Sequence, residues 1–475
     1  MYSIEKIGGT SMTDYKSVRD NIILNSKNHY NRVFVVSAYG GITDKLLEHK
    51  KNGQPGVYAL FANGVEDSSW IEALCNLKEE MKTINLSLFG NTPLLAEANC
   101  FIDDRINDAE KCLNDLQSLC LHGHFALDTH LETVREMLAS IGEAHSAWNT
   151  ARLLQRDGLN ACYVDLTGWK TEKHIPLDDR IKIAFDKLDL NTQLPIVTGY
   201  AHSEDGLMSS FDRGYSEMTF SRLAVLTRAD EAIIHKEFHL SSADPKLVGE
   251  DNAVPIGRTN YDVADQLANL GMEAIHPKAA KGLRKNNIPL RVKNTFEPNH
   301  PGTLITGDYI SNKPCVEIIA GCKGVYALEV FDQDMTGKLH DYDKKILDTI
   351  NRFNVNIISK DINANTITHY LPTNLKTIRR IIKTLEELFI EAEIDQQKIA
   401  IVSAIGSDMQ IPGILAKTVQ AIASKNISVL AIHQSMRQVD MQFVVNEKDY
   451  DNTVKSLHES LVEIHDHGQA ICIAS

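Results

Sequence analysis

The chain has 475 residues, a length that suggests two to four domains rather than one core. Hydrophobic residues at 43% and charged residues at 24% mark an ordinary soluble globular protein. A net charge of −14 argues against nucleic acid or an anionic membrane as partner, so an anionic ligand needs locally placed lysines and arginines.

The N-terminus reads MYSIEKIGGTSMTD: a short apolar strand, then Lys6, Gly8, Gly9, Thr10 and Ser11 ahead of a helix. Glycines there let backbone N–H groups approach an anion, with Lys6 adding a full charge; a tight turn with Thr or Ser as helix cap is the plainer alternative. The spacing is not that of a Walker loop. VFVVSA (33–38), ACYVDL (161–166), LPIVTGY (194–200) and EAIIHK (231–236) read as buried strands. Helical spacing of Tyr15, Val18 and Ile22, and a long helical region before residue 161, complete a βα series. A mostly parallel α/β sheet follows, with ligands at the strands' carboxyl ends.

The second strand enters another Gly-Gly loop, VVSAYGGITDKLL (35–47), with Ser37 and Thr43. Two such loops after successive strands favour a shared anion site over two ordinary strand–loop–helix junctions. SIGEAHSA (140–147) puts Glu143 at the start of a helix, where a glutamate ordinarily serves the helix dipole. In TGYAHSEDGLMSSFDRGYSEMTFSRLA (198–224), Arg213 is a planar fork suited to carboxylate or phosphate, or an ion-pair partner for Asp212 or Glu217. A helix capped at Ser216 follows. SSADPKLVG (241–249) offers Lys246 behind a rigid Asp-Pro.

EPNHPGTLITGDYISNKP collects turn formers near 295–315 and marks a boundary. Beyond it GVYALEVF (324–331), a helix at Ile346 and Ile350, NVNIISK (354–360), TITHYL (366–371) and a helix from Leu375 form one set. IAIVSAIG (399–406), a helix from Ile411, NISVLAIHQ (426–434), MQFVVN (441–446) and a helix from Tyr450 form another, offset by roughly 72 to 75 residues. Two small ferredoxin-like βαββαβ modules fit this pattern. Eight scattered cysteines without a C-x-x-C pair indicate reduced thiols rather than a disulfide or zinc framework. No leader pattern and no run of ~18 apolar residues is present, so a soluble cytoplasmic protein is expected.

Taken in order, KIGGTS (6–11), VVSAYGGIT (35–43), SIGE (140–143), DRGYSE (212–217), ADPK (243–246) and IHP (275–277) resemble the motifs of the aspartate kinases. The resemblance covers essentially the whole chain. It implies an amino-acid-kinase-type α/β sheet sandwiched by helices over 1–300, and ACT modules over 315–390 and 395–475. It also implies ATP-dependent phosphorylation of the side-chain carboxylate of L-aspartate, with Mg²⁺ held mainly by the ATP phosphates and no dedicated protein metal site. Lys6, Gly8, Gly9 and Arg213 would serve catalysis. Ser37, Thr43, Glu143, Arg213, Ser216 and Glu217 would bind the substrate, Glu143 taking its α-ammonium and Arg213 its α-carboxylate. Lys6, Ile7, Gly8, Gly9, Thr10, Ser11, Lys236, Asp244 and Lys246 would bind the nucleotide. A homodimer or higher homo-oligomer, with an amino-acid effector at the ACT modules, is the implied assembly.

The chain departs from the family pattern in several places. Arg213-Gly214-Tyr215-Ser216-Glu217 replaces a small residue by a ring and lengthens a carboxylate arm. His235-Lys236-Glu237-Phe238-His239 replaces the usual nucleotide loop, and Glu273 replaces a frequent lysine. These features are similar to a subgroup associated with ectoine biosynthesis. Polar substitutions at 331–345, 361–368 and 435–442 set classical feedback by lysine or threonine in question. Two other readings stand beside the leading one: a different amino-acid kinase, which would lack tandem ACT modules, and a catalytically silent amino-acid sensor.

Overall fold

The computed structural model describes the chain except residues 1, 27, 51, 65–67, 172–173, 212–213, 273, 464–467 and 472–475, and the side chains of 209 and 210. The chain forms two compact units, Met1–His239 with Ile275–Gly307, and Leu240–Ala274 with Asp308–Ser475.

The first unit contains β1 (Ser3–Ile7), β2 (Arg32–Val36), β3 (Ala161–Val164), β4 (Leu194–Thr198) and β5 (Glu231–Lys236). After β6 (Arg258–Asn260), which belongs to the second unit, β7 (Leu290–Asn294) and β8 (Thr303–Thr306) return to the first. Its strands run β3-β4-β2-β1-β5-β7-β8, all parallel except β8, which is antiparallel to β7. The four buried strands expected from the sequence are therefore present, three of them ending a little earlier. β1 and β4 are buried at every position, as strands covered on both faces must be.

The long helical region resolves into helices Ser69–Phe89, Pro93–Cys120 and Leu131–Arg156. Pro93 opens its helix at a position where a missing N–H costs nothing. The expectation of a helix beginning near Glu143 is corrected: residues 140–147 lie in the middle of Leu131–Arg156. Ser140 Oγ bonds back to the Met137 carbonyl instead of capping a new helix. Gly142 continues the helix because a Cβ there would lie 2.7 Å from Ala38 Cβ, so the glycine allows close approach to the segment after β2. Ser216 is likewise no cap; its helix spans Tyr215–Thr227 behind Gly214.

The second unit is built on a six-stranded antiparallel sheet of order β10-β11-β9-β12-β14-β13, formed by β9 (Ile318–Phe331), β10 (Ser359–Ile362), β11 (Thr366–Pro372), β12 (Glu393–Ile405), β13 (Val429–Gln434) and β14 (Asp440–Asn446). The strand expected at 324–331 starts six residues earlier, and this changes how the modules are assembled. Residues 325–331 of β9 pair with β11 and with the first half of β12, completing the first module. Residues 399–405 of β12 pair with β14, and on their other side with residues 318–322 of β9. The fourth strand of the second module thus precedes the first module in sequence. A register shift between Ile399 and Ile401 marks the seam.

The first module has its own core, including Leu328, Ile346, Ile378 and Leu385. The second shares its core with the 240–274 excursion through Ile256, Val263 and Leu267. Among the described residues no helix is long and apolar enough to cross a membrane.

The seam leaves no room for a side chain at Gly321, where a Cβ would stand 2.4 Å from the Ile401 carbonyl oxygen and 2.9 Å from the Tyr450 ring. Gly321→Ala should cost ~1–3 kcal/mol by overpacking. Gly307→Ala, with nothing within 4 Å, should stay within ~0.5 kcal/mol of the parent. Urea unfolding of the full chain should show a lowered midpoint for the first variant only.

Candidate active site

Parallel strands in register bring their carboxyl ends together: Ile7 lies beside Val36 and His235, and Val36 beside Thr198. Both glycine loops emerge at this edge. So does Gly199, where a Cβ would meet Val36 O at 2.7 Å, Ser216 Cβ at 3.0 Å and Glu143 Cγ at 3.1 Å. Three segments distant in sequence therefore converge on one glycine.

Successive residues of β1 point to opposite faces, so Glu5 and Lys6 enter different surroundings. Glu5 is held by Arg32, Nε to Oε1 at 2.6 Å and Nη2 to Oε2 at 3.0 Å, and lies 2.8 Å from His235 Nε2. Burial alone would raise its carboxyl, but the Arg32 charge and the His235 contact hold it well below the usual range. Lys6, 7% exposed, has Nζ 3.6 Å from Glu217 Oε1, an ion pair too long for a hydrogen bond. Glu217 Oε2 accepts the His276 N–H at 2.5 Å. Burial pushes the Glu217 carboxyl up, but Lys6, Lys236 and that N–H outweigh it and leave it below its ordinary value.

Glu143 is buried at 2% exposure in mid-helix, which removes the helix-dipole explanation for it. Tyr215 Oη donates to its Oε1 at 2.7 Å, whereas Oε2 is buried without a hydrogen-bond partner among the described residues. Burial pushes the Glu143 carboxyl up to about 7, against smaller opposing effects from Tyr215, the Glu143 and Ala38 amides and the Lys6 charge. Such an oxygen can accept a hydrogen bond from an N–H or O–H donor of a ligand.

The remaining predicted residues divide clearly. Gly8 is extended (φ −68°, ψ 156°), donates its N–H to His235 O at 3.3 Å, and would meet only ordinary contacts if it carried a Cβ. Gly9 differs, since a Cβ there would stand 2.8 Å from the Ala38 carbonyl oxygen. Thr10 is exposed beside them. Ser37 is half-buried, and its carbonyl accepts Ser146 Oγ at 2.8 Å; Thr43 is half-buried in helix Ile42–Leu46. Ser216 is buried next to Gly199.

Several residues expected at the nucleotide have other partners in the structure. Ile7 is wholly in the core, leaving only its backbone for a ligand. Ser11 Oγ is engaged by Glu237 Oε1 at 3.3 Å and Thr295 Oγ1 at 3.0 Å. Asp244 caps helix Pro245–Val248 by accepting the Lys246 N–H at 2.9 Å. Lys246 lies in the second unit and lines an open cleft of about 550 Å³ with Lys455, Glu459 and Glu463. Lys236 stays in the first unit near Glu217. Arg213 and Glu273 lie outside the described residues.

Tyr215 stands out in the sequence only as an oversized replacement, with no signal that its hydroxyl would meet Glu143. Together the groups provide a buried cation, loops that lead to it, and a carboxylate oxygen able to accept from a ligand.

Comparison with known proteins gives the family. The amino acid kinase family model matches residues 1–294 and an ACT domain model matches 402–461. Aspartate kinase Ask_Ect of Stutzerimonas stutzeri (strain A1501) is 53% identical over 477 residues, covering 100% of both chains. Aspartokinase 1, chloroplastic, of Arabidopsis thaliana is 25% identical over 98% of this chain and 80% of its own. E. coli aspartokinase III, solved in complex with aspartate and ADP, shares the fold with a TM-score of 0.72 over 97% of this chain and 100% of that one, at 19% identity. With a family model across more than half its length and an end-to-end match to Ask_Ect, the chain belongs to the amino acid kinase family, among the aspartate kinases.

Proposed function

We propose that this aspartate kinase transfers the γ-phosphoryl group of ATP directly and in line to the side-chain carboxylate of L-aspartate, giving 4-phospho-L-aspartate. The observation that carries this is that Lys6, a buried cation at the end of β1, acts electrostatically on Glu143, which has a buried, unpartnered carboxylate oxygen. Glu143 Oε2 takes the substrate's α-ammonium. Arg213, placed by resemblance alone, takes its α-carboxylate, with Ser37, Thr43 and Ser216 around them. Ask_Ect supports the ectoine branch as the pathway served.

The acceptor carboxylate has an ordinary pKa of ~3.9 and is ionised at neutral pH, so no general base is required. The chain's task is alignment and charge dispersal. Lys6 is suited to it because its counter-ion stands at 3.6 Å, close enough to hold the charge and loose enough to yield to a phosphoryl oxygen. Glu217 keeps Lys6 oriented between turnovers. Gly8 has neither a backbone nor a packing reason to be glycine, so its missing methyl leaves room for a ligand. Mg²⁺ arrives on the ATP phosphates and supplies charge neutralisation there. An amino-acid effector at the ACT modules, a cytoplasmic location and a homodimer or larger homo-oligomer complete the proposal.

Aspartyl hydroxamate formation from ATP·Mg and L-aspartate tests the activity, with lysine and threonine added to seek an effector; no product from aspartate or glutamate would favour the silent sensor. Lys6→Ala should lower kcat by at least ~100-fold, since it removes transition-state charge, and should also lower the unfolding midpoint, since Glu217 loses its buried counter-charge. Near-parental turnover would refute the phosphate assignment.

The two loop glycines should behave differently. Gly8→Ala should fold normally and raise the KM for ATP by about tenfold. Gly9→Ala should lower thermal stability because of the Ala38 carbonyl.

The Glu143 carboxyl, raised to about 7, is progressively neutral below that pH and then offers no charge to an ammonium. The KM for aspartate should therefore climb as pH falls from about 7.5 to 5.5, approaching ~10-fold per unit, while the KM for ATP stays flat. Initial-rate profiles across that range check the sign.

A further inference from the structure

We propose that Tyr215 is a positioning residue of the aspartate pocket: its hydroxyl engages one oxygen of Glu143 so that the other is presented to the substrate's α-ammonium. This rests on the assignment of Glu143 to that ammonium. The geometry is specific. Tyr215 is 3% exposed and stands at the first position of helix Tyr215–Thr227. Its Oη is 2.7 Å from Glu143 Oε1, while Oε2 has no hydrogen-bond partner among the described residues.

The ring itself is held. Tyr200 packs against it edge-on, with ring centroids 5.6 Å apart and planes at 68°. Tyr200 is anchored in turn, its Oη donating to Glu136 Oε2 at 2.5 Å, and Glu136 Oε1 accepts the Met208 N–H at 2.5 Å. A chain of contacts therefore runs from Glu136 through two tyrosines to Glu143. A buried carboxylate with two free oxygens can rotate about its terminal torsion; one tied to Tyr215 has a single oxygen left to aim.

The hydroxyl also favours the ionised carboxylate, the form that binds an ammonium. Among the described residues, the titratable and charged groups facing Glu143 are Tyr215 from its helix, Lys6 from β1 and Tyr200 after β4, with the Ala38 amide nearby. Lys6 and Tyr215 both favour the charged form, and burial opposes them. Losing the Tyr215 hydroxyl therefore shifts the balance toward the neutral acid. A role confined to filling space would affect stability without touching substrate affinity or its pH dependence.

Tyr215→Phe keeps the ring and removes one oxygen, so the fold is preserved. The variant should raise the KM for aspartate about three- to tenfold at pH 7, with the change falling on KM rather than kcat and the KM for ATP unmoved. The inflection in the aspartate KM–pH profile should move upward by about half a unit to one unit. In a Glu143→Gln background the same substitution should add little, because the two side chains act as one device. Tyr215→Phe with parental KM and pH profile, or with an effect fully additive to that of Glu143→Gln, overturns the proposal. Glu143→Gln with an unchanged KM for aspartate overturns the assignment of Glu143 and this proposal with it; a raised KM there beside an inert Tyr215→Phe overturns this proposal alone.

Discussion

A lysine ammonium buried at the end of a central parallel strand has to be matched by negative charge, and the first unit is arranged around that requirement. Glu217 supplies the match from a helix more than two hundred residues away in sequence, at a separation that leaves the pair open. One residue earlier on the same strand, Glu5 meets the opposite fate. Its bidentate Arg32 contact and the nearby His235 close a network with no capacity left for a ligand. The two pairs differ in kind: the Glu5–Arg32 pair is short and saturated, the Lys6–Glu217 pair long and incomplete, as the proposed role of Lys6 requires.

On the proposed reading, Glu143 extends the same logic to the substrate side. Placing a carboxylate in mid-helix against Gly199 removes most of its hydration, and only one of its oxygens is repaid with a hydrogen bond. A site of this kind is destabilising until its ligand arrives, as expected where binding depends on a specific ion pair. The folded-state pKa lies above the ordinary glutamate value, so the associated stability is fully present below the ordinary value and is lost as pH rises through about 7. Stability and substrate affinity at this residue thus run in opposite directions with pH.

In the second unit the constraint is one of strand length. β9 and β12 are long enough to serve both modules, so each module borrows from a strand that also belongs to the other. The cores remain distinct, but the sheet is continuous. The first module is one continuous segment, whereas the second takes its fourth strand from residues 318–322 ahead of it, and a disturbance along the shared strands is felt by both. That continuity gives the tandem arrangement a physical basis for acting as a single regulatory body.

The local features were legible in the sequence because their signals are local: buried β-branched runs, glycine loops after strands, ordered short motifs and a repeat of roughly 72 to 75 residues. They determined the α/β class, the two-part organisation and the roles proposed for Lys6 and Glu143. Only the tertiary structure decided what depends on distant residues meeting. It placed Glu143 inside a helix that packs closely on Ala38 at Gly142, set Tyr215 against Glu143 across 72 positions, and gave Ser11 Glu237 and Thr295 as partners. It also placed Asp244 and Lys246 in the second unit and passed a strand from one module to the next. Periodicity and motif spacing describe each segment's own preferences; partners chosen by packing and charge compensation appear only when the chain has folded.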